Sequence, residues 1–268
     1  MRLAIVPYCP DRPRTAVSGR LTAPPPLDSP QGKAILALAR DGDYAHPGEA
    51  EAIRLAAARI NRAEVRRLLD VGCGRGGSAA WFDRAGWGEV IGVDIDAESI
   101  DSASRRYPGL AFHVADVARL TALALPPVDL VYLLTAFYAF SDQAAALRQM
   151  RAVCRPHGQL LMMEYTRRAD QDLPAELGRE IGQPLVLDRL AAELGAAGWV
   201  LEHVDDWSDR FAGWYAQLLA RFRQHEAAIL QLAGPETTAF FLRWYGDLHR
   251  ALTDRRLGGA LVTARAVG

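Results

Sequence analysis

The sequence predicts an α/β protein built on a doubly wound sheet, and two observations carry that reading. Short apolar runs rich in β-branched residues recur at 67–71, 90–93, 111–114, 130–134 and 159–163. Stretches with apolar residues three and four apart, such as 78–85 and 143–154, separate them. Strands alternating with helices call for a parallel sheet covered on both faces. The chain has 268 residues, 50% hydrophobic and 24% charged, enough to bury a full core and too apolar for disorder over its whole length.

Each segment follows in order. Seven of the fifteen prolines fall between Pro7 and Pro30, so the first 30 residues read as an arm without a core of its own. Residues 31–40 and 49–61 carry the helical period, the second through Ile53, Ala57 and Ile60, and they flank a loop at 41–48. Beyond the five alternating strands, 188–197 is a helix ended by Gly198, 199–204 a sixth strand and 260–266 a seventh. Between those last two strands, Trp207, Phe211, Trp214, Tyr215, Phe222, Phe240, Phe241, Trp244 and Tyr245 recur at helical spacing. This stretch reads as a helical hairpin or cap inserted into the scaffold. Packing the cap onto the sheet accounts for most of these aromatics, and one or two facing a pocket would serve binding. The expected organisation is an N-terminal arm and lid over 1–62, a core over 63–205 plus 258–268, and a cap over 206–257.

Composition excludes several classes. The formal charge is -1, and the 30 arginines beside the lone Lys33 are dispersed and matched by 32 acids, which argues against nucleic acid as a partner. Cys9, Cys73 and Cys154 are odd in number and far apart, fitting neither a disulfide framework nor a metal site. The apolar run before Pro7 is too short for a signal-peptide core and no window offers 18 uninterrupted apolar residues, so a cytoplasmic protein with no membrane partner is expected. His203 with Asp205 and Asp206 is better explained as the polar end of a strand, and no metal is expected. The oligomeric state is not legible.

The sharpest signal is Leu68-Leu-Asp-Val-Gly-Cys-Gly-Arg-Gly-Gly77, a strand running into glycines and then a helix. Glycines there let a backbone turn tightly beside a ligand. Gly72, Gly74 and Gly77 alone also match a dinucleotide fingerprint. Asp70, however, sits at the strand end where a carboxylate would repel a pyrophosphate, and it suits a cofactor bearing an ammonium and a sulfonium. Asp94, 22 residues after Gly72, closes the strand Val90-Ile-Gly-Val and is placed to accept from ribose hydroxyls, a role both cofactor classes share. Asp116 closes the third strand, suited to accept from an exocyclic adenine amine, which a dinucleotide does not require.

With these motifs the sequence resembles the class I S-adenosylmethionine-dependent methyltransferases over roughly residues 67–204. The resemblance lies in Asp70-Val-Gly-Cys-Gly-Arg-Gly, Asp94, Asp116, Val128-Asp-Leu-Val-Tyr and Cys154-Arg-Pro-His-Gly-Gln-Leu, in that order; His157 stands where the family usually has glycine. It implies a Rossmann-like seven-stranded sheet with the last strand antiparallel. It also implies S-adenosylmethionine as cofactor, with Gly72, Cys73 and Gly74 around its methionine moiety, Asp94 and Ile95 at the ribose, and Asp116 with Val117 at the adenine. The 44–49 loop and the long insertion look like small-molecule methyltransferases, in which a lid and a cap enclose the acceptor. The tetrapeptide of nucleic-acid amino-methyltransferases and the Pro-Cys of C5-cytosine enzymes are absent after the fourth strand, where Leu134-Thr-Ala-Phe-Tyr-Ala-Phe stands.

Methyl transfer needs alignment, desolvation and, for a protonated acceptor, a base. His46, bracketed by Gly42, Pro47 and Gly48, is the candidate base, or else a loop histidine bonded to cofactor or backbone. Tyr44 is placed to touch the methionine end, close the lid or simply pack. Glu164, with Tyr165, is placed to orient an acceptor or to pair with an arginine, and Tyr138 to lie under the transferred methyl. His113, flanked by apolar residues, reads as structural. The expected activity is methyl transfer to an oxygen or nitrogen of a small molecule, a specialised metabolite. The alternatives are an NAD(P)-dependent oxidoreductase, or a protein of this fold that binds S-adenosylmethionine without transferring methyl, as a pericyclic-type catalyst or regulatory module.

Overall fold

A computed structural model describes residues 30–40, 42–167, 173 and 175–268. The proline-rich arm, with Cys9, lies outside the described residues, as does Asp41 of the first loop.

Seven strands form one sheet: β1 (Arg67–Val71), β2 (Glu89–Asp94), β3 (Ala111–Val114), β4 (Val128–Leu134), β5 (Cys154–Thr166), β6 (Trp199–Asp206) and β7 (Gly258–Ala266). Their order is β3-β2-β1-β4-β5-β7-β6, and β7 runs antiparallel to both neighbours. Every strand expected from the sequence is present. β5 exceeds its expected 159–163 at both ends: Glu164, Tyr165 and Thr166 pair with β7, and its N-terminal part pairs with β4 across an irregularity between Val128 and Leu130. There His157 adopts a φ of 62°, the left-handed conformation that glycine takes most easily.

The order reverses at β1, whose neighbours are β2 and β4, so their carboxyl ends diverge into a crevice. Helices α1 (Pro30–Arg40) and α2 (Glu49–Ala57) precede the sheet. The second was expected to reach residue 61; it stops at Ala57, and Asn61 instead caps the tight turn that feeds β1, its side chain accepting from Ala63 N. Helix α3 (Gly77–Arg84) follows β1, and α4 (Ala97–Arg106) links β2 to β3. No apolar stripe announces α4, which begins where the Asp96 side chain accepts from Glu98 N and Ser99 N. Helix α5 (Gln143–Val153) lies between β4 and β5, and α6 (Ala175–Ile181) and α7 (Leu187–Ala196) between β5 and β6.

Residues on alternate positions of the strands feed two separate cores. Leu69, Val71, Val131 and Leu133 pack with α5 and α7 on one face. Leu68, Tyr132, Leu161 and Met163 pack on the other with α2, α3 and two long helices, α8 (Ser208–Gln224) and α9 (Glu226–Thr253), inserted between β6 and β7. The cap aromatics are mostly interior: Phe211, Trp214, Tyr215, Phe222, Phe241, Trp244 and Tyr245 are all buried. Helix α9 is broken at Gly234 (φ 78°, ψ 170°), immediately before Pro235, whose ring cannot continue an α-helical ladder. Among the described residues no helix is long and apolar enough to cross a membrane.

Candidate functional site

A cavity of about 640 Å3 opens at the carboxyl ends of β1, β2, β3 and β4. Its floor is the glycine loop after β1. Gly72 turns with φ 76°, and a Cβ there would stand 2.5 Å from that of Ala136. Gly74 has φ 52°, and a Cβ on it would meet nothing within 4 Å, so its backbone faces open space with room for a ligand. Cys73 does not join them at the cavity: its thiol packs behind the loop, where a Cβ on Gly92 would lie 2.9 Å from it.

Five carboxylates, Asp94, Asp96, Glu98, Asp116 and Asp142, line the cavity, against Lys33 as the lone cation among the described residues. Most are set by local backbone. Asp94 accepts from Gly74 N at 2.8 Å and Asp96 N at 2.9 Å, which fixes its carboxylate while further lone pairs remain for ligand hydroxyls. Asp116 accepts from Ala118 N at 2.9 Å, and Asp142 from Ala145 N at 2.8 Å. Ile95 leaves 71% of its surface exposed beside Asp94, an apolar shelf suited to a ring, and Val117 lines the cavity beside Asp116. Asp96 also pairs with Lys33; although partial burial opposes it, bonds from Lys33 and Ser99 bring its carboxyl down to about 2.

Asp70 sits behind this floor, 2% exposed, opposite Tyr132 on the neighbouring strand. Its Oδ2 and the Tyr132 hydroxyl both lack a hydrogen-bond partner, and burial, opposed by the Tyr132 side chain beside it, pushes its pKa up to about 8. A buried carboxyl in that condition welcomes nearby positive charge. The open space at Gly74, the acidic lining, the shelf at Ile95 and the orphaned oxygen of Asp70 together fit a nucleoside cofactor that carries a cation.

The loop 42–48 reaches the site from the N-terminal helices. Asp43 is buried between Arg106, at 2.6 Å, Arg75 and the Tyr107 hydroxyl, which ties the loop to the core. Tyr44 borders a smaller recess beside Gly74 and Arg75, adjoining the main cavity, and its ring meets the edge of His46. His46 lies behind the wall. Its Nε2 is 3.1 Å from Ser78 Oγ and its Nδ1 3.1 Å from Pro47 O, and burial lowers its pKa to about 3. The histidine expected as base is thus neutral, with both ring nitrogens engaged, and does not line the cavity.

At the far end, β4 leads into Thr135, a β-branched residue held at φ 54°, a strained conformation of the kind that clusters at functional sites. Glu164, wholly buried on β5, accepts from Ala136 N at 2.7 Å and Phe137 N at 2.8 Å. Among the described residues it pairs with no arginine; its Oε2 has no partner, and burial outweighs the backbone donors to raise its pKa to about 7. Glu164 therefore holds the turn that carries Tyr138, and Tyr138 does line the cavity. From Tyr138 a series of rings runs under the cap: Tyr165 at 5.2 Å between centroids, then Tyr215 at 6.4 Å, then Tyr245 at 6.0 Å. The Tyr165 and Tyr215 hydroxyls are hydrogen-bonded to each other.

Sequence reasoning missed Lys33, Asp43, Asp96, Thr135 and Asp142. Asp96 and Asp142 were signalled: each is an acid immediately before a helix that it caps. No signal marked Asp43, whose partners come from 32 and more residues away. Among the described residues no group of histidine, cysteine and acids is placed to hold a metal ion.

Residues 69–162 match the family model described as a methyltransferase domain. The chain is 28% identical over 219 residues to the 27-O-demethylrifamycin SV methyltransferase of Amycolatopsis mediterranei, covering 74% of this chain and 76% of that one. It is 33% identical over 154 residues to the trans-aconitate 2-methyltransferase of Methylobacterium radiotolerans, covering 53% of this chain and 57% of that enzyme. Among solved structures the [4+2]-cyclase SpnF superposes with a TM-score of 0.74 at 22% identity, covering 90% of this chain and 95% of that one, a likeness of fold. Structures of the same fold hold S-adenosylmethionine or S-adenosylhomocysteine.

Proposed function

The chain is a class I S-adenosylmethionine-dependent methyltransferase, and from that premise we propose that it methylates an oxygen or nitrogen of a small-molecule acceptor, a specialised metabolite, held between the 42–48 loop and the helical cap. The observation that supports this best is continuity: the cavity that begins at Asp94 and Asp116 ends at Tyr138, the first ring of the series under the cap. A relative that acts on 27-O-demethylrifamycin SV favours oxygen over nitrogen. The near-neutral charge of -1 favours a small molecule over nucleic acid, and we read the protein as cytoplasmic.

Bound S-adenosylmethionine supplies an electrophilic methyl on a sulfonium, a leaving group that needs no nucleophilic side chain. The chain's own residues then bind and align, a contribution worth on the order of 7–11 kcal/mol for two well-oriented reactants. In this reading Asp94 accepts from the ribose hydroxyls over Ile95, and Asp116 with Val117 receives the adenine. The backbone at Gly72 and Gly74 passes the methionine moiety, with Tyr44 at its end, and Asp70 supplies negative charge from behind. Tyr138 contacts the acceptor. Glu164 and His46 are positioning residues, the first through the turn at Ala136 and Phe137, the second through Ser78 at the start of α3. Of the expected lid, the described residues 30–40 and 42–62, together with the cap at 206–257, close over the core in this reading.

Calorimetric titration with S-adenosylmethionine, with NADH as control, followed by S-adenosylhomocysteine release across an acceptor panel, tests this. Saturable binding of S-adenosylmethionine alone and acceptor-dependent release are expected. Tight cofactor binding without turnover on any acceptor would replace methyl transfer with a binding-only role, and binding of NADH alone would overturn the whole reading.

A further inference from the structure

We propose that the acceptor carries an anionic oxygen group, a carboxylate or a phosphate ester, and that Arg40 with the hydroxyls of Tyr215 and Tyr245 receives it. The proposal rests on the methyltransferase reading above and names the substrate class of that same site.

Arg40 is the most deeply buried cation found among the ion pairs, its side chain 1% exposed. It donates from NH1 to His46 O at 2.5 Å and to Glu49 Oε1 at 2.9 Å, yet its Nε has no partner. A buried guanidinium N–H left bare is costly and rarely kept without use. Its charge is also incompletely answered. Arg221 from α8 bonds the same Oε1 of Glu49 at 2.9 Å, so two guanidinium groups share one carboxylate and one positive charge stays uncompensated within that cluster.

The Arg40 guanidinium lies 5.9 Å from the centre of the Tyr215 ring, and the Tyr245 ring lies 6.0 Å from that of Tyr215. Guanidinium and phenolic hydroxyls are donors that match carboxylate or phosphate oxygens, and the guanidinium charge repels an ammonium. The ring series Tyr138, Tyr165, Tyr215 connects this polar end to the cavity where the methyl arrives. Arg40 comes from α1, Tyr215 and Tyr245 from α8 and α9, so an anion held by all three joins the N-terminal helix to the cap. Entry requires those elements to part.

The test uses the full chain saturated with S-adenosylhomocysteine and a panel of aliphatic and aromatic carboxylates, each matched with its primary amide, the corresponding amine and the phosphate ester of the corresponding alcohol. Binding is read by calorimetry. Carboxylates or phosphate esters should bind at least about tenfold more tightly than their amides, with amines weakest, and the two anion arms tell which group is preferred. Arg40→Gln should erase the preference while S-adenosylhomocysteine affinity stays within about twofold. Because Arg40 also ties the 42–48 loop, Tyr245→Phe, which keeps the ring and removes only the hydroxyl, should weaken anion binding severalfold in a folded protein. Amides or amines binding as well as anions, no anion binding at all, or a preference that survives both substitutions would overturn the proposal. Failure to bind S-adenosylhomocysteine would instead strike the methyltransferase reading.

Discussion

The two ends of the site are built in different ways. At the cofactor end, carboxylates follow the strands that present them and are held by backbone two or three residues on, as Asp116 is by Ala118 N and Asp142 by Ala145 N. At the proposed acceptor end the bonds span the chain: Tyr165 to Tyr215 across 50 residues, Arg221 to Glu49 across 172, Arg221 to Ala39 across 182. The first end is open and acidic, the second buried, aromatic and cationic. A local device can be kept while the rest of the chain changes, whereas an end assembled from five elements is free to be rebuilt. Such a division lets one cofactor fold serve many acceptors.

The sharpest way to break this comparison is at Asp94. Two ribose hydrogen bonds to a carboxylate, each worth about 1.5–3 kcal/mol, imply that Asp94→Ala weakens S-adenosylmethionine binding by at least about 100-fold in calorimetry. It should leave carboxylate binding at the cap in place; loss of both together would join what we have separated. Asp70 offers the next largest effect. Its pKa is raised from 3.8 to about 8, so its contribution to stability is full below 3.8 and is lost as pH rises towards 8. A cationic ligand favours the ionised form, so cofactor affinity should rise as pH climbs towards 8 and level off above it, by up to about tenfold per pH unit. Asp70→Asn should flatten both profiles, and a variant that keeps either slope assigns it to another group.

His46 lies between the two ends and sharpens the boundary. Removing a buried ring and its two bonds should lower stability by about 1–3 kcal/mol in His46→Ala, measured by denaturant. Turnover per folded molecule should stay within about threefold, whereas a drop of 100-fold or more would restore it as general base. Its pKa is depressed from 6.5 to about 3, so its contribution is present above 6.5 and lost as pH falls towards 3. The variant should therefore resist acid better relative to its own neutral stability. The smallest effect belongs to Lys33. Its pair with Asp96 is partly exposed, so Lys33→Met should cost less than about 1 kcal/mol. A larger loss in thermal unfolding would show α1 to depend on the cofactor end.

Much of the fold was legible because its signals are short in range. Seven strands showed as β-branched runs, and β1 and β3 ended at the expected residues. The overshoot of the second helix past Ala57 and the silence of α4 have one cause: apolar period marks where a helix packs, while caps such as Asp96 and Asn61 decide where a helix starts or a turn takes over. At the site, Gly72, Gly74, Asp94 and Asp116 were read from a strand, its turn and the residue after it. Cys73 was expected beside them and faces away, because alternate residues of a tight turn point to opposite sides.

By itself, then, the sequence determined the alternating scaffold, the glycine floor and the acids at the strand ends, since each depends on backbone geometry within a few residues. Only the tertiary structure decided that His46 lies behind the wall, that Glu164 holds the backbone of Ala136 and Phe137, and that Arg40 meets the Tyr215 ring of the cap. Those outcomes depend on which distant side chains share a dry interior. There burial sets whether a group is charged, bonded or left bare, and no spacing along the chain records it.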